Sequence, residues 1–214
     1  MLEAVDLECM RGDRLLFRGI DLSLQPGQLL RVAGANGSGK TSLLRILCGL
    51  LQPTGGEVRW NGMPVARQRE EFCANLVFTG HLNGLKDDLT ALENLSVAAA
   101  LAGVRVDARG ARDGLARFGV AHCADLPAKY LSQGQRRRVA LARLALSATV
   151  PLWILDEPFS ALDAGAVIEL ELLLAAHLAA AGMVVLTTHQ EVNVVAQVVL
   201  RVDLDLAEPE RRAA

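Results

Sequence analysis

The run Gly34-Ala35-Asn36-Gly37-Ser38-Gly39-Lys40-Thr41 constrains this chain more than any other. It fits G-x-x-x-x-G-K-[ST] and lies between an apolar strand-like segment, Gln28–Ala33, and a helical one that begins at Lys40 and extends to Leu51. Glycines let such a loop wrap until backbone N–H groups converge on phosphate oxygens, and the helix that follows turns its positive end to the same anion. Lys40 supplies charge for the β- and γ-phosphates of a nucleotide, and Thr41 supplies a hydroxyl for Mg2+. The candidate phosphate-binding residues are therefore Gly34, Ala35, Asn36, Gly37, Ser38, Gly39, Lys40, Thr41 and Ser42. A ligand-free glycine turn would leave the Lys-Thr pair without a reason. A dinucleotide fold is excluded because G-x-G-x-x-G is missing. A GTPase is excluded because no asparagine is followed by lysine, as a guanine-reading N-K-x-D requires.

A phosphate loop of this kind needs an acidic partner at the end of another buried strand. Leu152-Trp153-Ile154-Leu155 followed by Asp156-Glu157 provides it. Asp156 is positioned to hold Mg2+, directly or through water, and Glu157 to polarise an attacking water as general base. Around these motifs the chain alternates strand and helix. Strand-like runs cover Leu2–Cys9, Leu15–Leu24, Glu57–Trp60, Ala74–Phe78 and Val184–Thr188, while helical patterns cover Ala108–Phe118, Gln133–Ser147 and Ala164–Ala181. Thr90 and Glu93 form a capping-box pattern ahead of an alanine-rich helix ending near Ala102. The fold expected is α/β: a P-loop parallel-sheet core, an N-terminal antiparallel β subdomain, and a helical subdomain over about 82–142 inserted in a single domain of 1–214.

Composition narrows the partners. Hydrophobic residues make up 51% of the chain, yet the apolar runs near 144–155 and 183–188 are short, and Ser147, Thr149 and Pro151 interrupt the first. A membrane span needs about 20 apolar residues in a row. Glu3, Asp6 and Glu8 stand where a signal peptide would be positive and then apolar. A soluble, cytoplasmic chain with a buried parallel sheet, or with a docking face, is the expectation. The net charge of −2 gives no basic field for nucleic acid. Cysteines at 9, 48, 73 and 123 are too dispersed for a C-x-x-C site and are expected to be buried, inert thiols. Among Arg136, Arg137 and Arg138, at least one is expected to lie on a solvated helix face, and His122 and His177 to be solvent-facing or packing residues.

Leu131-Ser132-Gln133-Gly134-Gln135 resembles the signature sequence of the ABC-type ATPases, with Gln133 where that family usually has glycine. The resemblance covers nearly the whole chain. It implies that two copies form a head-to-tail dimer in which Ser132, Gly134 and Gln135 of one cap the γ-phosphate held by the P-loop of the other. It likewise makes Ser160-Ala161-Leu162-Asp163 a loop linking the two sites, with Asp163 among the nucleotide-site residues. His189 falls where the family has a histidine that contacts the γ-phosphate. Two positions depart from the pattern. His81 replaces the usual glutamine, eight residues before the Leu89-Thr90-x-x-Glu93-Asn94 stretch; its shorter, titratable ring suits coupling to a membrane partner better than direct Mg2+ contact. Arg11 replaces an aromatic that stacks on adenine, and guanidinium can also stack on a π-face.

Within the ABC-type ATPases the chain is most similar to the ATP-binding subunits of haem exporters in cytochrome c maturation. Cys9–Phe17, Gly80-His81, Leu85-Lys86, Leu89–Leu95 and Leu131–Arg138 carry that similarity. It implies an ATP- and Mg2+-dependent ATPase, peripheral on the cytoplasmic side of the bacterial inner membrane and held by integral membrane subunits. In that system ATP is used to release a haem-loaded periplasmic chaperone, and no haem ligand is expected in the ATPase. A lipoprotein, metal or small-solute transporter remains an alternative, because membrane subunits choose cargo. A soluble ABC ATPase acting on DNA or ribosomes is a weaker one, since those carry two fused cassettes or long coiled coils.

Overall fold

A computed structural model of the chain describes residues 1–190 and 193–205; the last part of the expected 1–214 domain lies outside the described residues. β1 (Leu2–Arg11) and β2 (Arg14–Leu24) form an antiparallel hairpin, and β1 pairs on its other side with β4 (Gly55–Trp60), which carries the short β5 (Met63–Pro64). The second sheet has the order β6 (Leu76–Thr79), β7 (Leu152–Leu155), β8 (Met183–Thr187), β3 (Gln28–Ala33), β9 (Val198–Asp203), with every neighbouring pair parallel. Parallel neighbours need crossovers, and these are mostly helical. α1 (Lys40–Leu47) follows β3, α2 (Arg69–Ala74) precedes β6, and α6 (Ala164–Ala179) joins β7 to β8. Between β6 and β7 lie α3 (Ala91–Leu101), α4 (Ala108–Arg117) and α5 (Gln133–Leu146), so the expected 82–142 insertion holds α3, α4 and most of α5.

The parallel sheet separates two apolar cores. Leu152, Ile154, Met183 and Val185 face the antiparallel sheet with Leu2, Phe17 and Leu43. Trp153, Leu155, Val184 and Leu186 alternate to the other face and pack with α5 and α6 through Leu141, Leu170 and Leu174. A sheet covered on both sides reads as continuous apolar runs, which explains the 51% hydrophobic content.

Local chemistry sets the helix starts. The Thr90 hydroxyl accepts the Glu93 N–H (3.1 Å) and the Thr90 N–H donates to Glu93 (2.8 Å), the reciprocal cap expected at α3. Ser132 and Gln135 form the same box at α5. α1 stops at Leu47 rather than Leu51, because Gly49 turns left-handed (φ 72°) and the Leu50 and Leu51 N–H groups fold back to the Arg45 carbonyl. α2 falls where the sequence offers no amphipathic pattern; Phe72 is its buried residue.

Three of the four cysteines are buried, and burial pushes the Cys48 thiol up to about 11. Cys73 is exposed, contrary to expectation, because it sits on the outer side of α2. His177 is a packing residue. Its ring stacks on Trp153 at 3.8 Å, and Gly182 is required beside it, since a Cβ there would sit 2.3 Å from Nε2. Burial lowers the His177 pKa, an effect only partly offset by the backbone of Met183, Ala148 and Pro151. A histidine depressed in the fold contributes nothing unfavourable above its unfolded value near 6.5, and stability falls as pH drops from there toward the folded value. The melting temperature is therefore expected to fall more steeply between pH 7 and pH 5 in the native chain than in His177→Gln, by about 2–4 °C for each 1 kcal/mol involved. Calorimetry on both proteins checks this; parallel slopes would contradict it.

Candidate active site

The phosphate loop joins β3 to α1 and is built for close approach. Gly34 has φ 142°, and a Cβ there would lie 2.5 Å from Ser38 Oγ, which is buried without a hydrogen-bond partner. Lys40 folds back over the loop and donates from Nζ to the Gly34 carbonyl (2.8 Å) and the Ala35 carbonyl (3.0 Å). Among the described residues no carboxylate forms an ion pair with Lys40. Its charge is held in place and left uncompensated at the mouth of the cradle. The Ala35 N–H instead meets both oxygens of Asp205 (3.0 and 2.7 Å) just after β9.

Asp156 is the hub behind the loop. It is 2% exposed and accepts from Thr41 Oγ1 at Oδ2 (2.9 Å) and from Thr187 Oγ1 at Oδ1 (2.8 Å). Two hydroxyl donors orient this carboxylate at the N-terminus of α1. Next to it Glu157 adopts a left-handed backbone, φ 50°, a conformation that costs a non-glycine residue about 1–3 kcal/mol. That conformation is held from both sides: the Glu157 N–H donates to Thr187 Oγ1 (2.8 Å), and its carbonyl accepts from Arg137 (2.7 Å). Glu157 Oε1 is buried, accepts no hydrogen bond, and stands 3.4 Å from His189 Nε2.

A cavity of about 460 Å³ opens over these groups. Its lining brings together Arg11, Asn36, Gly37, Gly39, Lys40, Thr41, Ser42, His81, Asp156, Glu157 and His189 from the sequence-derived set, and adds Leu16 and Ser160. Gly34, Ala35 and Ser38 shape the loop behind it. Ser132, Gly134, Gln135 and Asp163 do not line it. Ser132 is exposed at the start of α5, where it and Gln135 cap each other, and Gly134 packs against the Ala161 carbonyl. Asp163 caps α6 through the Ala166 N–H (2.8 Å) and pairs with Arg138 (3.2 Å).

Of the three consecutive arginines of α5, Arg136 and Arg138 are half-buried and form surface ion pairs with exposed carboxylates, whereas Arg137 turns inward. Arg136 pairs with Asp87 (2.7 Å), Arg138 with Asp163, and Arg137 is 4% exposed beneath the site. Thr187 and Arg137 are the residues sequence reasoning missed. A threonine closing the apolar run 183–186, two residues before His189, was a usable signal for the first. Nothing in the sequence singled out the second.

The donor chemistry fits a nucleotide phosphate with a hard divalent cation. Thr41 and Asp156 present oxygens 2.9 Å apart, the ligand type Mg2+ takes together with phosphate oxygens and water. The Ser38 hydroxyl, buried in the loop without a partner, is a polar group that the protein itself does not satisfy, and Gly34 is required because Ser38 fills the space a Cβ would take.

A phosphate loop after β3, an acidic pair ending β7, the next strand but one in the sheet, and an inserted helical layer define an ATP-binding cassette. The chain belongs to the ABC transporter family, as an ATP-hydrolysing subunit; the family matches residues 17–160. It is 59% identical over 191 residues to the cytochrome c biogenesis ATP-binding export protein CcmA of Aromatoleum aromaticum, covering 89% of each chain. It is 48% identical over 204 residues to the protein of that name from Salmonella typhi, covering 95% of this chain and 97% of the relative. Among solved structures it is similar to the bacterial ABC transporter cassette MJ0796 in its dimeric structure, with TM-score 0.80 at 25% identity over 99% of this chain and 97% of that one. A dimeric post-hydrolysis state of MJ0796 bound to ADP and Pi gives TM-score 0.78 at 25% identity over 89% and 88%. Cassettes of this fold thus bind nucleotide and dimerise. No helix among the described residues is long and apolar enough to cross a membrane.

Proposed function

We propose that two copies of this chain bind two ATP molecules head to tail and drive a haem exporter of cytochrome c maturation, docked on integral membrane subunits at the cytoplasmic face of the bacterial inner membrane. The observation that carries the ATPase chemistry is the convergence of Lys40, Thr41, Asp156, Glu157 and His189 on one cavity that Ser132 and Gly134 do not line. With Ser132 exposed and outside the lining of its own chain's cavity, we infer that a second copy supplies it. The names of its relatives support the export role.

In this reading the loop amides and Lys40 hold the β- and γ-phosphates, with Ser42 at the start of α1 beside them. Thr41 and Asp156 hold Mg2+, whose contribution when bound is neutralisation of phosphate charge. Glu157 accepts the proton of the attacking water at Oε1, which no donor occupies. His189, 3.4 Å from that oxygen, orients the carboxylate and meets the γ-phosphate. Ser132, Gly134 and Gln135 of the second copy close over the same phosphate, with the loop ending at Asp163 linking the two sites. Arg11 lies against the base, and His81 reports the site to the membrane subunits. Residues 1–214 act as one domain, with the helical subdomain of about 82–142 within it.

The test is genetic and biochemical together. In its native host, chromosomal Glu157→Gln is expected to abolish haem-staining c-type cytochromes while apocytochrome is still secreted, and the tagged chain is expected to co-purify with integral membrane subunits from solubilised membranes. Normal cytochrome c with a defect in lipoprotein, metal or solute transport would overturn the cargo assignment.

A further inference from the structure

A buried guanidinium is normally matched to a carboxylate. Arg137, 4% exposed on the second turn of α5, is not: among the described residues it forms no ion pair. It donates instead to four neutral oxygens. These are the carbonyls of Asp156 (3.1 Å), Glu157 (2.7 Å) and Gly80 (3.2 Å), and Asn83 Oδ1 (3.3 Å). Its Nε is buried without a partner. Burial lowers its pKa, and the negative charges of Asp156 and Glu157 oppose that shift.

The four acceptors belong to two segments that line the cavity through His81, Asp156 and Glu157. One is the end of β7, where Glu157 is held in its left-handed conformation. The other is the turn after β6 that carries His81, with Gly80 and Asn83 on either side of it. The side chain reaching both comes from the helix that begins at Ser132. The other arginines of α5 do not reach the acidic pair: Arg136 bonds to Asp87 and Ala128, Arg138 to Asp163, and Arg143 to Phe78.

We infer that Arg137 is the positioning residue through which the helix carrying Ser132–Gln135 sets the Glu157 backbone and the His81 turn together. This rests on the reading of Glu157 as general base. Any rotation of α5 moves the guanidinium, and with it the carbonyl of a residue whose backbone is already strained. When α5 is seated, both segments are pinned at once; when it tilts, the Glu157 carbonyl loses its donor and the carboxylate leaves the line of attack. Hydrolysis is thereby tied to the placement of the signature helix, while the phosphate loop, which Arg137 does not touch, keeps its hold on nucleotide.

The test compares Arg137→Gln, Arg137→Lys and Asn83→Ala in the full chain by kcat, KM for ATP, binding of a fluorescent ATP analogue, and melting temperature. Both Arg137 variants are expected to lose at least about 10-fold in kcat, with nucleotide affinity within about 3-fold, a split that a general loss of folding does not produce. Asn83→Ala removes one of the four bonds and is expected to lower kcat by about 2-fold with melting unchanged. A folded Arg137→Lys or Arg137→Gln with native kcat overturns the inference. So does a fall in kcat matched by an equal fall in nucleotide affinity. If Arg137→Gln does not fold, Arg137→Lys and Asn83→Ala decide by the same criteria. The two readings separate cleanly: native turnover in Glu157→Gln would overturn the general base itself. An inactive Glu157→Gln beside fully active Arg137 variants would overturn this inference alone.

Discussion

Replacing Glu157 with glutamine is expected to lower steady-state ATP turnover about 10²–10⁴-fold, the range a general base contributes, while ATP binds within a few-fold of the native affinity. The substitution is nearly isosteric. It leaves the backbone at φ 50° with its N–H on Thr187 and its carbonyl on Arg137, so the geometry around Asp156 is retained. What changes is one atom's chemistry: Oε1 is buried without a hydrogen-bond donor and free to accept a proton, and an amide cannot take its place. Phosphate release under saturating ATP and Mg2+, beside equilibrium binding of the same protein, measures both halves. Native turnover would remove Glu157 from the chemistry.

Lys40→Ala is expected to weaken ATP binding by about 10–100-fold, because a charge-assisted hydrogen bond to phosphate is worth about 1.5–3 kcal/mol. The native side chain spends its donors on two loop carbonyls and meets no carboxylate among the described residues. Those two carbonyls lie at the cavity mouth, where water can replace the ammonium, so the side chain contributes little to the folded chain in the absence of nucleotide. The melting temperature without ATP is expected to stay within about 2–4 °C of native, corresponding to no more than about 1 kcal/mol, whereas stabilisation by added ATP should shrink sharply. Calorimetric titration and melting with and without ATP check the pair. Unchanged affinity would mean that the loop amides alone hold the phosphates.

The parts of the site legible in the sequence are those whose chemistry dictates spacing. A phosphate loop has to sit between strand and helix, and its acidic partner has to close another buried strand; both conditions appear as contiguous residues, 34–41 and 152–157. The capping box at Thr90 and Glu93 was legible for the same reason, since reciprocal caps recur at a fixed offset of three. What stayed hidden depends on contacts between distant segments. Thr187 reaches Asp156 across neighbouring strands, and Asp205 reaches the Ala35 N–H only because β9 pairs with β3. The sequence did not distinguish Arg137 from Arg136 and Arg138, of which at least one was expected on a solvated face. Helical rotation of about 100° per residue places Arg136, Arg137 and Arg138 on three different sides, and the middle one turns inward. α2 gave no periodic signal because so short a helix buries little beyond Phe72.

The central claim is that each ATP is held by two copies, the loop of one and the Ser132 helix of the other. Light scattering on Glu157→Gln, with ATP and Mg2+ and then with ADP, tests it most directly. The expected result is the mass of two chains with ATP, the mass of one with ADP, and the mass of one with ATP once Ser132→Arg is added. A single-chain mass with ATP demonstrably bound, or a dimer indifferent to Ser132→Arg, would contradict it.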